Sequence, residues 1–459
     1  MRGFQRSILF GAVAGVAMAV APAVMAETMD GALAKAYLAN PNLNSQRASL
    51  RAADENVAIA KSGMRPRINA TASVGYTARN SHGLPTGGGN TDLYPGAVGI
   101  GVSQPLYDGL RTRNSVRAAE SQVFGQRESL RNDEQNTLLQ AATAYMNVLR
   151  DTATVNLQRN NIEVLQEQLR QTRDRFAVGE VTRTDVAQAE AALAGGHSQL
   201  SAAEANLKAS IAEYRRVIGE QPGRLAPGKS LEPRLPKTLQ AAIDLGLRQH
   251  PAIISALHGA DAAELQVKVA EGALKPQVGL NASVSRSFDN NVRGDAISQA
   301  SVVAQLTVPL YEGGQYYAQT RQAKERATQA QISVDIYRDQ VRAAIVSSWS
   351  MLEAARAQIE SASAQVKANE IALAGVREEA KVGQRTTYDV LRAQQDLLNS
   401  RVLLVIAQRD RVVASYNVMA AIGRLTARDL GLRVASYDPK VHFDQVKDKW
   451  IGLGTPGGR

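Results

Sequence analysis

The 459-residue sequence contains no cysteine. The chain therefore has no disulfide, no thiol nucleophile and no thiol that could carry a lipid near its N-terminus. Its five histidines are scattered and lack the spacing of metal ligands. No nucleophile-base pair, phosphate-binding loop or pair of catalytic carboxylates stands out. The sequence therefore predicts neither an enzyme nor a metal or cofactor site.

Long apolar segments are also scarce. An apolar run at 8–20 follows two arginines, and a stretch rich in small residues ends at Ala26. This pattern is typical of a secretory signal peptide, so we expect residues 1–26 to be removed on export. No later stretch reaches about 18 apolar residues, and no transmembrane helix is predicted. An export signal without cysteine fits the envelope of a double-membraned bacterium.

The excess of positive charge is modest, with 53 Lys and Arg against 43 Asp and Glu. In a cytoplasmic protein this balance would favour binding to nucleic acid. The predicted export and the mixing of both signs along helical stretches, which is typical of a solvated helix face, argue against it. We therefore predict no nucleic-acid partner.

What the sequence does contain is a duplication of about 200 residues. The segment Pro-Leu-Tyr-Asp-Gly at 105–109 recurs 204 positions later as Pro-Leu-Tyr-Glu-Gly at 309–313, and Gly179 recurs at the same offset as Gly383. The period is far longer than that of a solenoid repeat. The chain is therefore two copies of one module.

Each copy is predicted to consist of a helix, a β-hairpin, a long helix and a return helix. Alternating residues predict strands of roughly 10 to 14 residues, long enough to cross a bilayer at a tilt. Sustained heptads then predict helices packed lengthwise, the long ones each about 100 Å. The first repeat is predicted at 27–219, with a hairpin at 66–108, a long helix at 109–178 and a return helix at 184–219. A proline-rich connector at 220–238 leads to the second repeat at 239–423, with a hairpin at 276–310, a long helix at 313–382 and a return helix at 388–423. The C-terminal tail at 424–459 is predicted to be partly disordered.

The helix before each hairpin is broken by a proline, at Asn40-Pro41 and at His250-Pro251, because the residue before proline disfavours helix. The remaining helix of about 22 residues and the return helix of about 36 nearly match the long helix in length. We expect the two shorter helices to lie end to end along the long one. Polar loops are expected at the hairpin tips, at 82–92 and 289–298.

The hairpins limit what the chain can build. In lipid every backbone polar group must be paired, so strands cross a membrane only as a closed barrel. Four strands are fewer than the roughly eight of the smallest barrels, and several chains must therefore pool their strands. The polar strand face would then line a lumen that the helices continue. The alternative is a periplasmic structural coiled-coil scaffold without a pore, which would have no use for such strands.

Two local patterns resemble those of a known family. Each hairpin ends in Pro-Leu-Tyr-Asp/Glu-Gly, and each long helix ends in Val-Gly-x-x-Thr-x-x-Asp-Val. Together with the duplication and the helix lengths, the whole mature chain resembles the TolC family of outer-membrane efflux and type I secretion channel proteins. The residues that carry the resemblance are Pro105, Tyr107, Gly109, Pro309, Tyr311 and Gly313 at the strand-helix junctions, and Gly179, Thr182, Gly383 and Thr386 at the turns.

The resemblance implies a mainly α-helical fold with a membrane part. The expected assembly is a homotrimer with a twelve-stranded β-barrel in the outer membrane, continued by a twelve-helix α-barrel across the periplasm. The implied function is the passive exit duct of a tripartite efflux pump or a type I secretion system. The implied partners are an inner-membrane transporter, a periplasmic adaptor protein and outer-membrane lipid. Drug efflux and protein secretion both stay open, because one duct would serve either transporter.

The turn residues have two interpretations that can coexist. From the sequence, Thr182 with Asp185 and Thr386 with Asp389 have the spacing of a capping box, with Asp replacing the usual Glu. Such a cap is worth roughly 1 kcal/mol and needs no role in transport.

The resemblance implies that the same turns form a periplasmic gate, with Asp185 and Arg385 as a candidate latch. Ion selectivity is not carried over, because Arg392 stands where the family has a second constricting Asp. A tyrosine that helps hold the family's entrance is replaced here by Ala380. The implied gate residues are Thr184, Asp185, Arg385, Asp389 and Arg392.

Overall fold

A computed structural model describes residues 26–81 and 89–456. Residues 1–25 of the predicted signal peptide lie outside this part of the chain, as do positions 82–88 of the first predicted loop. The described chain is mainly α-helical and carries a four-stranded antiparallel sheet and a two-stranded ribbon. Among the described residues, no helix is at once long enough and apolar enough to cross a membrane.

The first repeat has the predicted order of elements, with two additional short strands in its hairpin. A Thr28 cap opens the first helix, and Asn40 separates it from the second. The elements are α1 (Met29–Ala39), α2 (Pro41–Lys61), β1 (Arg67–Val74), β2 (Thr77–Ser81), β3 (Gly89–Leu93), β4 (Gly96–Tyr107), α3 (Arg111–Ala177) and α4 (Arg183–Ile218).

The second repeat follows the connector, which contains a single 3-10 turn at Glu232–Arg234. Its helices and strands are α5 (Leu239–Gln249), α6 (Pro251–Gly272), β5 (Gln277–Phe288), β6 (Ala296–Thr307), α7 (Gln315–Lys381) and α8 (Thr387–Ala421). The tail after residue 423 contains α9 (Ala427–Leu430) and α10 (Pro439–Val446). Positions 457–459 lie outside the described residues.

The two long helices each have 67 residues, which corresponds to about 100 Å. Helices α2 and α4 both pack on α3, while α6 and α8 both pack between α3 and α7. The shorter helices thus lie end to end along the long ones. The rod is a row of four helical lines, and its two edges are the α2/α4 line and α7.

The four-stranded sheet has the order β1-β4-β5-β6, so the hairpins of the two repeats join through β4 and β5. The register aligns residues of one character across all four strands. One row is Ala70, Ile100, Val284 and Ala300, and the neighbouring row is Asn69, Gly101, Ser283 and Ser301. Successive residues of a strand point to opposite faces, so the sheet has one apolar and one polar face, as the alternation predicted.

The first hairpin differs from the prediction of a single strand pair around a loop at 82–92. It is interrupted beyond β1 and β4, where the Gly75 amide donates to the Pro95 carbonyl at 2.8 Å. Beyond this break, β2 and β3 form a separate ribbon, and β3 occupies part of the predicted loop. Proline lacks an N–H group, so the ladder cannot continue unbroken through position 95. In the second repeat β6 likewise begins inside the predicted loop, at Ala296.

The second strand of each hairpin ends differently with respect to its proline. Pro105 lies inside β4, which continues to Tyr107 through a register shift between these two residues. A bulge is one of the few positions at which a strand tolerates proline. In the second repeat β6 ends at Thr307, before Pro309.

The hydrophobic core lies around the middle of the long helices, where α1, α5, α9 and the connector surround them. Tyr145 of α3 is fully buried, and its hydroxyl donates to the carbonyls of Glu27 and Ala226 at 2.8 and 2.7 Å. The connector is further fixed because the Glu27 amide donates to the Arg224 carbonyl. A buried tyrosine therefore holds the segment at Glu27 and the connector on the rod.

Candidate functional site

The two turns at the far end of the rod share one backbone geometry. Gly179 and Gly383 have φ values of +82° and +80°. A residue with a side chain rarely adopts this left-handed conformation, so glycine is required at both positions. The amide after each glycine donates five residues back, from Glu180 to Arg175 and from Gln384 to Glu379, each at 2.9 Å. Both long helices therefore end in the glycine turn that the sequence predicted.

Each return helix begins with the predicted capping box. The Thr182 amide donates to Asp185 at 2.9 Å, and the Asp185 amide donates to the Thr182 hydroxyl oxygen at 3.4 Å. The corresponding distances for Thr386 and Asp389 are 3.0 and 3.2 Å. The backbone and side-chain hydrogen bonds from Thr386 hold the pKa of Asp389 below its usual value, and Arg385 and Arg392 add to this effect. The capping interpretation is confirmed in both repeats.

The candidate latch pair is not joined within one chain. Arg385 forms an ion pair with Glu379, with Nε and Oε2 at 2.8 Å, while Asp185 is occupied by Thr182. Among the described residues of a single chain, no ion pair connects Asp185 with Arg385. Thr184 is exposed on the first turn of α4. The latch therefore stays a prediction.

Arg392 lies beside a groove between the two helix pairs. The groove has a volume of about 490 Å³ and is lined by residues of α3, α4 and α8, including Gln188 and Tyr388. Gly196 lines the groove, and an added Cβ there would come within 3.0 Å of Leu165. Arg392 thus lines the groove while its charge acts on Asp389, whose carboxylate remains in the capping box. Sequence periodicity did not predict this groove.

The strand-helix junctions turn sharply on glycine. Gly109 has a φ of +69°, and a Cβ there would lie 2.2 Å from the Gly272 carbonyl oxygen. Asp108 accepts a hydrogen bond from the Thr112 amide at 2.7 Å, which caps the start of α3. In the second repeat Gly313 also has a positive φ, of +61°, but has open space around it. The first junction is therefore tightly packed and the second is open.

The aromatic residues of the junctions are accessible in one chain. Tyr107 is 38% exposed and Tyr311 is 81% exposed. Such amphipathic rings are typical of membrane-water interfaces. Leu310 is also exposed beside Tyr311, so both junctions present apolar surface at the level where strands become helices.

The sheet offers the other functional surface. On its polar face the hydroxyls of Ser283 and Ser301 lie 2.9 Å apart on neighbouring strands. The opposite face exposes large apolar residues in the single chain: Ile68, Val74, Val98, Ile100, Val284 and Val302. One face therefore suits water and the other suits lipid.

No group of three or more potential metal ligands occurs in the part of the chain that the structure describes. One buried pair was not predicted. Asp54 is fully buried and lies 2.9 Å from Nδ1 of His442 in the tail, although 388 positions separate them. Burial raises the pKa of Asp54. No local pattern links two residues so far apart, so only the folded tail reveals the pair.

Comparisons with known proteins agree with this architecture. The family profile described as outer membrane efflux protein matches residues 32–220 and 242–424. The outer membrane efflux protein BepC of Brucella suis is 47% identical over 439 residues, which cover 95% of this chain and 94% of BepC. The outer membrane protein TolC of Escherichia coli is 25% identical over 421 residues, covering 88% of this chain and 84% of TolC.

Two further matches extend the comparison. The alkaline protease secretion protein AprF of Pseudomonas aeruginosa is 28% identical over 333 residues, covering 71% of this chain and 68% of AprF. The crystal structure of the Campylobacter jejuni CmeC outer membrane channel superimposes with a TM-score of 0.77 at 18% identity, covering 91% of this chain and 89% of CmeC. The structural likeness shows a shared fold. The family match spans most of both repeats, and the chain therefore belongs to the outer membrane efflux protein family, the family of TolC.

Proposed function

We propose that three copies of this chain form a twelve-stranded barrel continued by a twelve-helix tunnel. The protein is an outer-membrane channel for efflux or secretion that extends into the periplasm, and it is not an enzyme. One observation supports the proposed closed assembly in particular. Among the described residues, the outer edges of β1 and β6 have no partner strand, while the sheet has one polar and one apolar face. Closing four-stranded sheets edge to edge satisfies both edges and leaves the polar face inside.

The helical rod has matching edges. Its outer lines are α2/α4 on one side and α7 on the other, in the same order as β1 and β6 in the sheet. A neighbour whose β1 pairs with β6 would therefore bring its α2/α4 line against α7. Three such contacts close a ring of twelve helical lines, and the scaffold alternative would leave the sheet edges open.

Engineered cysteines test the trimer directly, because the natural chain has none. Thr71→Cys on β1 is combined with cysteine at one of three positions on the same face of β6, at Gln299, Ser301 or Val303. Oxidation should produce covalent species that stop at three chains. A control pair, Thr71→Cys with Ser285→Cys on the inner strand β5, should not cross-link, since two strand spacings of about 4.8 Å exceed the reach of a disulfide. Cross-linked ladders beyond three chains, or none from any pair, would contradict the proposal.

The turns are proposed to be the gate of this duct. The latch would join Asp185 of one chain to Arg385 of another chain, because Arg385 is exposed, Asp185 is only half-buried, and the ion-pair partner of Arg385 within its own chain, Glu379, is itself accessible to solvent. Such a pair is worth at most about 1 kcal/mol, which corresponds to roughly a fivefold change in the open population. We expect Asp185→Ala with Arg385→Ala to raise the conductance of single channels in planar bilayers.

The capping box complicates this test, since Asp185→Ala also removes a cap. Thr182→Ala is the matched control, because it weakens the same cap by about 1 kcal/mol but keeps the carboxylate. Glu379→Gln is the control for the other half, since it frees Arg385 from its partner within the chain. If Thr182→Ala opens the channel as much as the double variant does, the gate depends on the cap and the latch is wrong.

The partners are proposed to be a periplasmic adaptor protein and an inner-membrane transporter. Val178 and Val382 precede the two glycines and are 73% and 72% exposed, so the rod ends in apolar tips. BepC is described as an efflux protein and AprF as a secretion protein. Deleting the gene and measuring both antibiotic sensitivity and the secreted proteins would distinguish the two types of cargo.

A further inference from the structure

The C-terminal tail does not end at the core in the middle of the rod. From α10 it runs along α2 towards the sheet, and the order of its contacts fixes its direction. His442 meets Asp54, Asp448 forms an ion pair with Lys61 at 2.6 Å, and the Lys449 carbonyl accepts from Arg65 at 2.8 Å. The contacted positions advance along α2 and past its end. The tail therefore rises from the middle of the rod to the base of the sheet.

The tail is anchored well before it reaches the sheet. Phe443 packs against Val57 of α2 and Val123 of α3, and Arg127 stacks over the Phe443 ring at 4.8 Å. Val446 is fully buried. The segment that follows therefore starts from a fixed position, and its level along the molecule is defined.

That level is the junction between sheet and rod. Arg65 stands two positions before β1, and the Met64 carbonyl accepts from the Gln104 side chain at 2.8 Å. The guanidinium of Arg65 stacks over the ring of Trp450 at 4.6 Å. Trp450 therefore lies at the height of the strand-helix junctions, where the exposed Tyr107 and Tyr311 also lie.

The segment 450–453 exposes three large apolar side chains. Trp450 is 65% exposed, Ile451 is 89% exposed and Leu453 is fully exposed. A short segment with three large apolar side chains in water costs free energy, unless something apolar covers it. The surroundings are basic, with Lys61, Arg65, Arg67, Lys447 and Lys449 against Asp444 and Asp448.

We propose that residues 447–453 form a membrane anchor that lies on the periplasmic leaflet of the outer membrane and binds its anionic phospholipid. The strands that begin at this level enter the same membrane, so the anchor continues an interface that the channel already makes. Trp450, Ile451 and Leu453 enter the boundary between headgroups and acyl chains, while the lysines and arginines contact the phosphates. Each basic residue near such a surface strengthens the attraction, and salt weakens it.

Trp450 itself is the probe, because the chain has only two tryptophans and Trp349 is buried in the middle of α7. The full-length protein is reconstituted into vesicles containing brominated phosphatidylglycerol, and the inserted fraction is isolated by flotation. Subtracting the emission of the Trp450→Phe variant isolates the signal of Trp450. We expect the brominated chains to reduce this signal roughly twofold, since the ring then lies within contact of the acyl chains.

The matched control carries the same probe at the other end of the rod. Tyr388→Trp in the Trp450→Phe background places a tryptophan on the first turn of α8, a full helix away from the sheet. Its emission should be unaffected by brominated lipid. Repeating the measurement with brominated phosphatidylcholine, and with added salt, tests whether the segment needs an anionic headgroup. Equal quenching in both lipids at all salt concentrations would overturn the anionic-headgroup part of the proposal.

Insertion of the channel is scored separately in the same vesicles by its heat-shifted migration in gels, so a failed anchor and a failed channel give different results. If inserted protein shows no quenching of Trp450, the membrane anchor is wrong. Protection of Trp450 from iodide by a periplasmic protein, without quenching by lipid, would also overturn it and assign the segment to a protein partner.

Discussion

The helices α3 and α7 occupy equivalent positions in the two repeats and have the same length, yet they lie in different surroundings. Twenty-two residues of α3 are buried, against eleven of α7. Leu138 of α3 is fully buried, whereas its counterpart 204 positions later is the exposed Arg342. Equivalent residues of the two copies have therefore diverged according to whether their helix is buried or exposed. The long helix of the first copy lies inside the rod, and the long helix of the second copy forms an edge that a neighbouring chain can cover.

The largest effect should come from emptying the inner helix. Leu138→Ala leaves a cavity in the core and should lower the free energy of unfolding by about 3 kcal/mol. Arg342→Ala removes an exposed ion pair with Asp339 and should cost less than about 1 kcal/mol. Unfolding in detergent, followed by far-ultraviolet circular dichroism, measures both. Equal losses would contradict the assigned asymmetry.

A second effect distinguishes the caps of α2 and α6, which are Asn40 and His250. Burial, and after it the charge of Arg131, lowers the pKa of His250 to about 4. As the pH is lowered from 6.5 to about 4, this histidine gains a proton in the unfolded chain but not in the folded chain. The free energy of unfolding should therefore decrease by up to about 3 kcal/mol over this range.

Replacing the second cap by the first tests this effect. His250→Asn should keep the cap on Ala252, because Asn40 caps α2 in the same way, and should remove the acid-sensitive part of the stability. The thermal midpoints of both proteins are compared at pH 7 and pH 5. An equal drop in the two proteins would assign the acid sensitivity to other groups.

A third effect concerns the open face of α7. Ile332 and Ile336 are one turn apart and more than half exposed. If a neighbour covers them, replacing both by Gln should weaken each contact between chains by about 2 kcal/mol. We expect fewer trimers by sedimentation in detergent, with unchanged helix content. Ile59→Gln, at an exposed position of α2, tests in the same way whether the opposite edge of the rod contributes to the contact between chains.

The smallest effect concerns ion selectivity and a charge that is present in only one of the two copies. Arg392 stands where the first copy has Gln188. Arg392→Gln removes one of the positive charges that act on the carboxylate of Asp389, whose pKa is lowered. We expect the preference for cations to rise roughly twofold, since an exposed charge is strongly screened. The reversal potential in a salt gradient measures this, and an unchanged value would mean that Arg392 lies outside the conducting path.

The sequence predicted those features that repeat along the chain. Heptads identified the two 67-residue helices to within a few residues, and alternation identified the faces of the sheet. Thr182 and Thr386 were correctly predicted as caps, because capping depends on spacing within one turn. These features need no knowledge of distant contacts.

Features that depend on distant contacts escaped prediction. The separate ribbon of β2 and β3 depends on pairing across the hairpin, and the groove beside Arg392 arises from packing between repeats. The tail contact between Asp54 and His442 joins the two ends of the chain. Local sequence patterns reveal the candidate latch least of all, because its two residues do not meet within one chain.

The pairing of β4 with β5 also dictates when the protein can fold. Tyr107 pairs with Val278, 171 positions later, and the residues between them form the long helical hairpin, the connector and the helices that lead into β5. A contact of such long range forms slowly, because the intervening chain must first be ordered. Until β5 is made and reaches the sheet, one edge of β4 has no partner strand beside the apolar face of the first hairpin. An unpaired edge next to an apolar face favours aggregation, so we expect the chain to be most prone to aggregation in this interval.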